Sequence, residues 1–170
     1  GTFLIESAFK SLNISPGLNR RFSAEKWGFI GQNVWKEERQ KAIEAVRRDS
    51  EFKAYGFDID DEAISLSLEN SRKAGVGSRM EIAQADISDF KNIDGAITIC
   101  NPPYGERMLE LKEAEELYKK MGQVFAGNST SPCFIISPHE NFEQFFGRKA
   151  DKRRKLYNGM IKCQLFMYYR

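Results

Sequence analysis

The sequence predicts an α/β protein: a mostly parallel sheet with helices on both faces and an antiparallel hairpin at its C-terminal end. Strand-like and helical segments alternate along the chain, as they do when crossover helices join parallel strands. The run Gly95-Ala96-Ile97-Thr98-Ile99-Cys100 is apolar enough for a central strand covered on both faces. The last two β-rich runs lie on either side of Asn158-Gly159, a dipeptide that favours a tight hairpin turn.

From the first residue, apolar positions at Phe3, Leu4, Ala8, Phe9 and Leu12 recur near helical spacing and predict a helix over 2–12. Residues 13–32, rich in Gly, Asn and Arg, read as an irregular connection, and 33–49 as a charged amphipathic helix. A short strand is expected over 52–59, then a helix over 61–73 that Gly75 and Gly77 bring to a stop. Strands follow at 79–84 and 95–100, a helix at 111–125, a strand at 133–137 and a short helix at 141–146. Residues 154–156 and 160–169 form the closing hairpin.

Composition sets bounds. A chain of 170 residues with 41% hydrophobic and 29% charged residues is one ordinary globular domain with a real core. No apolar stretch is long enough for a bilayer, and no signal peptide opens the chain. Cys100, Cys133 and Cys163 are odd in number and widely spaced, which argues against a disulfide framework and a zinc site. They read as small core residues in a reducing, cytoplasmic compartment. The net charge of +2 leaves open a local basic face.

The candidate catalytic residues are Asn101, Pro102, Pro103 and Tyr104, directly after the apolar run. Two prolines stiffen the backbone and donate nothing to a ladder. The strand therefore ends on an asparagine amide, acceptor carbonyls and an aromatic face at one rigid point. Such a corner suits a planar ring with an exocyclic amine: the Asn101 oxygen and the Pro102 carbonyl accept its two hydrogens while Tyr104 stacks on the ring. An aryl amine is a poor nucleophile because its lone pair is delocalised, and two acceptors push electron density back toward an electrophile. The plainer alternative is a proline-capped strand end with a buried tyrosine.

In open α/β sheets ligands bind at the carboxyl ends of strands. Asp58 ends one strand and can accept both hydroxyls of a ribose, with Ile59 beside it to pack on adenine. Asp86, followed by Ile87, is placed to accept from an adenine amino group. An adenosine held this way, next to an amine-gripping loop, suits S-adenosylmethionine, with positioning as the main source of acceleration. At least one of Asp60 and Asp61 is expected to cap the following helix. The opening Gly1-Thr2-Phe3 reads as the end of a Gly-rich loop running into a helix start, beside the methionine part of that cofactor. On this reading the sequence begins inside the motif, and the first, central strand of the sheet lies upstream of it.

These segments resemble ribosomal-RNA guanine-N2 methyltransferases of the large-subunit type, in which an RNA-binding THUMP domain precedes the catalytic domain. The resemblance is carried by Gly1 to Glu6, by Asn13 to Arg20 with Phe22 and Trp27, by Gly56 to Asp60, by Asn101-Pro102-Pro103-Tyr104-Gly105-Glu106-Arg107 with Leu117, Tyr118 and Gly122, and by Arg153 to Gly159. It implies a Rossmann-like class I methyltransferase sheet lacking its first strand, occupying residues 1–170 as a partial catalytic domain. It also implies S-adenosyl-L-methionine as cofactor, ribosomal RNA as substrate, no metal, Asn101 to Tyr104 on the target base, Asp58 on the ribose and Asp86 on the adenine.

RNA contacts are expected from Arg107 beside the corner, from Arg20, and from the basic run Arg153, Arg154 and Lys155. The alternatives are an ion pair for Arg107 and solvated edge-strand cations for the run. His139, the single histidine, is expected on a surface turn, and Trp27 and Trp35 are expected to pack within the 13–32 connection. Two rival functions share these features: DNA adenine-N6 methylation, which uses the same tetrapeptide, and an inactive or RNA-docking fragment.

Overall fold

The computed structural model describes residues 1–105, 108–126 and 131–169. They form two compact units, Gly1–Gln84 and Ala85–Arg170, each with its own core.

The first unit contains helices α1 (Thr2–Leu12), α2 (Gln32–Glu44) and α3 (Asp61–Lys73) and strands β1 (Ala54–Asp58) and β2 (Met80–Gln84). The two strands pair in parallel, from Ala54 opposite Met80 to Asp58 opposite Gln84. The helical spacing in α1 brings Ala8 and Leu12 into a core with Ala54, Val76 and Met80. Helix α1 packs on β1 at Gly56, where a Cβ would sit 2.4 Å from Leu4 Cδ1 at the end of its side chain. Helix α3 runs over the expected residues, and Asp60 is its N-cap, accepting from the Glu62 N–H at 3.0 Å.

Helix α2 ends at Glu44, five residues before the predicted end. Beyond it the Arg47 N–H donates to the Leu12 carbonyl at 2.8 Å, so an orphan carbonyl at the end of α1 draws the chain out of its helix. The irregular connection before α2 is organised by Arg39, whose guanidinium donates to the carbonyls of Leu18 and Arg20 and to Glu25. Glu25 also accepts from the Phe22 N–H, and these bonds hold its carboxyl below the ordinary range. Trp35 packs on Phe22 as expected, whereas Trp27 does not pack inward: it is 53% exposed and stacks on Phe29, itself 82% exposed.

The second unit contains β3 (Thr98–Cys100), α4 (Met108–Ala126), β4 (Cys133–Ser137), α5 (Phe142–Phe146), β5 (Lys152–Asn158) and β6 (Ile161–Tyr168). Its sheet order is β3-β4-β6-β5, with β3 parallel to β4 and β6 antiparallel to both β4 and β5. Strand and helix assignments follow the predicted alternation, but among the described residues of this unit one pairing is parallel and two are antiparallel. The core joins Tyr118 and Met121 of α4, Ile135 of β4, Phe142 and Phe146 of α5, and Phe166 and Tyr168 of β6. Aromatic rings meet there at 4.6 Å between Phe142 and Phe166 and 4.7 Å between Phe146 and Tyr168.

Strand β3 is shorter than predicted and stands at the end of its sheet order rather than at the centre. Gly95 takes φ 75° in a turn closed by the Ala96 N–H on the Ile93 carbonyl, and Ile97 and Ile99 are left 64% and 45% exposed. Cys133 and Cys163 are buried and Cys100 is half-buried, in line with core roles; burial pushes the Cys133 thiol up to about 12. Among the described residues, no helix is long and apolar enough to cross a membrane.

Candidate active site

Asn101 follows β3 immediately, and its corner is fixed by bonds from distant parts of the second unit. The hydroxyl of Tyr118, a fully buried residue in the middle of α4, donates to the Pro103 carbonyl at 2.9 Å. Below it the buried Ser137 hydroxyl donates to the Tyr118 oxygen at 3.4 Å and accepts from the His139 N–H at 3.1 Å. Burial raises the Tyr118 pKa, so the phenol stays a donor throughout the ordinary pH range. In the sequence Tyr118 stands only within a family-like string, and its position four residues after Ala114, on the same helix face, is the signal for its burial.

The side chains of the corner are linked as well. Tyr104 donates its hydroxyl proton to Asn101 Oδ1 at 2.7 Å and accepts from Asn158 Nδ2 at 3.0 Å. Burial pushes the Tyr104 pKa up, opposed by the bond from Asn158 and reinforced by the Cys163 thiol. The Pro103 carbonyl and one lone pair of Asn101 are therefore occupied by the protein itself. The Pro103 carbonyl thus already has a donor, and Pro102 beside Asn101 is buried. A cleft of about 410 Å³ opens beside the corner, lined by Pro103, Tyr104, Gly105, Glu113, Ala114 and Leu117 among others.

The carboxylates differ from the corner in being held locally. Asp58, exposed at the end of β1, accepts the Asp60 N–H at 3.1 Å through Oδ1. Ile59 is 66% exposed, and its carbonyl accepts from the Gln84 side chain at 2.8 Å, tying the ends of β1 and β2 together. Asp86 caps the turn Ile87–Asp89, accepting the Ser88 N–H at 2.8 Å and the Ser88 hydroxyl; these bonds hold its carboxyl below the usual range. Ile87 packs against the core of the second unit. Gly1, Thr2 and Phe3 stand exposed at the start of α1, whose first turn carries no acidic residue and no side-chain cap.

Of the basic candidates, Arg153 forms a two-pronged ion pair with Glu143 and lies over the Phe166 ring at 5.8 Å. This engagement follows from its place on β5, opposite Phe166 of β6. Arg154 and Lys155 are exposed on the same edge strand, and the Arg20 guanidinium lies 4.7 Å over the Phe22 ring. Arg107 lies outside the described residues. His139 begins a turn closed by the Phe142 N–H on its carbonyl, but its side chain is not on the surface: it is 11% exposed, wedged edge-on against Tyr118 and Phe145, with Nδ1 accepting from the Asn141 N–H. Among the described residues no cluster of His, Cys, Asp and Glu could hold a metal ion.

Strand-end aspartates and an Asn-Pro-Pro-Tyr corner on α/β units define a Rossmann-like class I methyltransferase fold. The protein SMU.472, solved as "a putative methyltransferase complexed with SAH", superposes with a TM-score of 0.95 at 40% identity, over 99% of this chain and 45% of its own. The chain belongs to the family described as the RMKL-like methyltransferase domain, whose model matches residues 1–166. "Putative RNA methyltransferase YpsC" of Bacillus subtilis is 39% identical over 99% of this chain and 44% of its own length. "Ribosomal RNA large subunit methyltransferase K/L" of Photobacterium profundum is 33% identical over 99% of this chain and 25% of its own length. The chain thus spans less than half the length of these relatives.

Proposed function

We propose that this chain is a partial catalytic domain that transfers a methyl group from S-adenosyl-L-methionine to an exocyclic base amine, and that the amine is guanine N2 of large-subunit ribosomal RNA. The observation that carries this reading is the Asn101–Tyr104 corner, held from behind by Tyr118 and from the side by Asn158. A rigid pair of acceptors suits an amine that must be turned, not merely bound.

In this reading Asn101 Oδ1 accepts one amine hydrogen through its second lone pair and the Pro102 carbonyl accepts the other. The Tyr104 ring covers the base. Asp58 Oδ2 accepts from ribose hydroxyls, Ile59 lies against the adenine, and Asp86 accepts from its amino group. The open N–H groups at the start of α1, around Gly1, Thr2 and Phe3, suit the carboxylate of the methionine part. The bound cofactor supplies an electrophilic methyl carbon. In that transfer the sulfonium–carbon bond would break as the nitrogen–carbon bond formed, S-adenosylhomocysteine being the leaving group, while Asn101 and Pro102 would hold the amine hydrogens until the surplus proton passed to water. Arg154, Lys155, Arg20 and Arg107 are the cations proposed for RNA phosphates; Arg153, bound to Glu143, is the weakest of that set. The names of the relatives, RNA methyltransferases and ribosomal RNA methyltransferases, support RNA as the partner.

The test is incorporation of labelled methyl groups by the full-length protein into ribosomal RNA and into DNA, followed by identification of the nucleoside. N2-methylguanosine in RNA is the expected product. N6-methyladenine in DNA replaces this reading with the rival base. A full-length protein that neither binds S-adenosylhomocysteine nor labels either polymer ends the enzyme reading.

A further inference from the structure

We propose that Asn158, at the tip of the β5–β6 hairpin, is a positioning residue that sets the direction of the hydrogen-bond chain ending on Asn101, so that Asn101 offers its oxygen to the amine of the target base. The proposal rests on the methyltransferase reading given above.

A phenol has one proton to give and two lone pairs to receive. Asn158 Nδ2 donates to the Tyr104 oxygen, so the Tyr104 proton goes to Asn101 Oδ1. That bond fixes which end of the Asn101 amide faces the corner, and Oδ1 keeps one lone pair for the base. The backbone of the corner is already held by Tyr118 on the Pro103 carbonyl. What remains to be set is the rotation of the Asn101 amide, and Asn158 acts on that through Tyr104.

The hairpin itself has no use for the Asn158 side chain. Asn158 is the last paired residue, opposite Ile161, and the two-residue loop is Gly159-Met160 with Gly159 at φ 61°. Gly159 in the first central position supplies the positive φ, so the turn is made without the asparagine. The side chain is exposed and reaches a partner 54 residues away in sequence. A neutral hydrogen bond in such a place adds little to stability. Its consequence is directional.

The experiment uses the full-length protein and compares Asn158→Ala, Asn158→Asp, Tyr104→Phe and the Tyr104→Phe/Asn158→Asp double variant. A carboxylate at 158 can only accept, so the phenolic O–H turns to donate to it and Tyr104 is left only to accept from Asn101. Asn158→Ala is expected to lower kcat several-fold and Asn158→Asp by about 100-fold, with KM within about twofold in both. On the Tyr104→Phe background Asn158→Asp should add no more than about a twofold loss, because the coupling runs through the hydroxyl. A readout without turnover is the titration of the Tyr104 ring carbon by NMR, assigned by its disappearance in Tyr104→Phe. The hydroxyl pKa should rise in the order wild type, Asn158→Ala, Asn158→Asp. Equal losses in Asn158→Ala and Asn158→Asp, an undiminished Asn158→Asp effect without the Tyr104 hydroxyl, or a Tyr104 titration indifferent to residue 158 would each overturn the proposal. A wild-type protein that labels no base amine overturns the methyltransferase reading and this proposal together.

Discussion

The strand end at Asp58 in the first unit and the Asn101 corner in the second are held in opposite ways. In the first, Asp58 is bound by the N–H of Asp60, two residues on, and Asp60 by that of Glu62, so the strand end is organised by its own immediate sequence. In the second, the Asn101 corner is held by Tyr118 and Asn158, and through Tyr118 by Ser137. Local Asx bonds set backbone direction and leave a carboxylate oxygen open to a ligand. Long-range bonds to a stiff proline corner fix both the backbone and the side-chain amide. On the reading proposed above, the first arrangement is enough to hold a ribose, whereas turning an amine needs the second.

The largest expected effect comes from removing the end point of the long-range network. Asn101→Ala should lower turnover by about 100- to 1,000-fold, the loss of one preorganised acceptor, while calorimetry with S-adenosylhomocysteine on the full-length protein shows nearly unchanged affinity. Equal loss of both would make Asn101 a residue of the fold.

Next is Tyr118→Phe, which frees the Pro103 carbonyl and leaves the buried Ser137 hydroxyl without its acceptor. Denaturant unfolding should show a loss of about 1–3 kcal/mol. A change within about 0.5 kcal/mol would mean that the corner holds without the tyrosine.

Asp60→Ala makes the corresponding cut in the local arrangement, removing the cap of α3. About 1 kcal/mol of stability should go, measured in the same way, and a loss larger than that of Tyr118→Phe would reverse the contrast between the units.

The smallest effect is a pH dependence at Asp86. Its carboxyl titrates below its unfolded value because Ser88 bonds the charged form. The stabilisation is therefore present above the ordinary carboxyl range and is lost as pH falls through the lower folded value. Thermal melts of wild type and Asp86→Asn should differ at neutral pH and converge in strong acid; curves that stay parallel to the lowest pH would remove the Ser88 bond from the account.

Much of the secondary structure was legible because it depends on near neighbours. The spacing of Ala8 and Leu12, the cap from the Asp60-Asp61 pair and the apolar run of β4 were all readable in short windows, and the structure places them as expected. The errors arose where a distant group intervened. Helix α2 stops short because Leu12 captures Arg47, β3 ends a sheet order despite its apolar run, and His139 is drawn in against Tyr118 and Phe145. Arg153, read as a phosphate contact, is held by Glu143, ten residues earlier in sequence and on another element.

The sequence by itself determined the alternation of strands and helices, the stiffness of Pro102-Pro103 and the identity of the groups at each strand end, since those follow from side-chain chemistry and near-neighbour geometry. Only the tertiary structure decided which hydroxyl reaches the Pro103 carbonyl and which amide reaches Tyr104. The reason is physical: a hydrogen bond depends on tenths of an ångström between groups up to 54 residues apart, and no local periodicity carries that information.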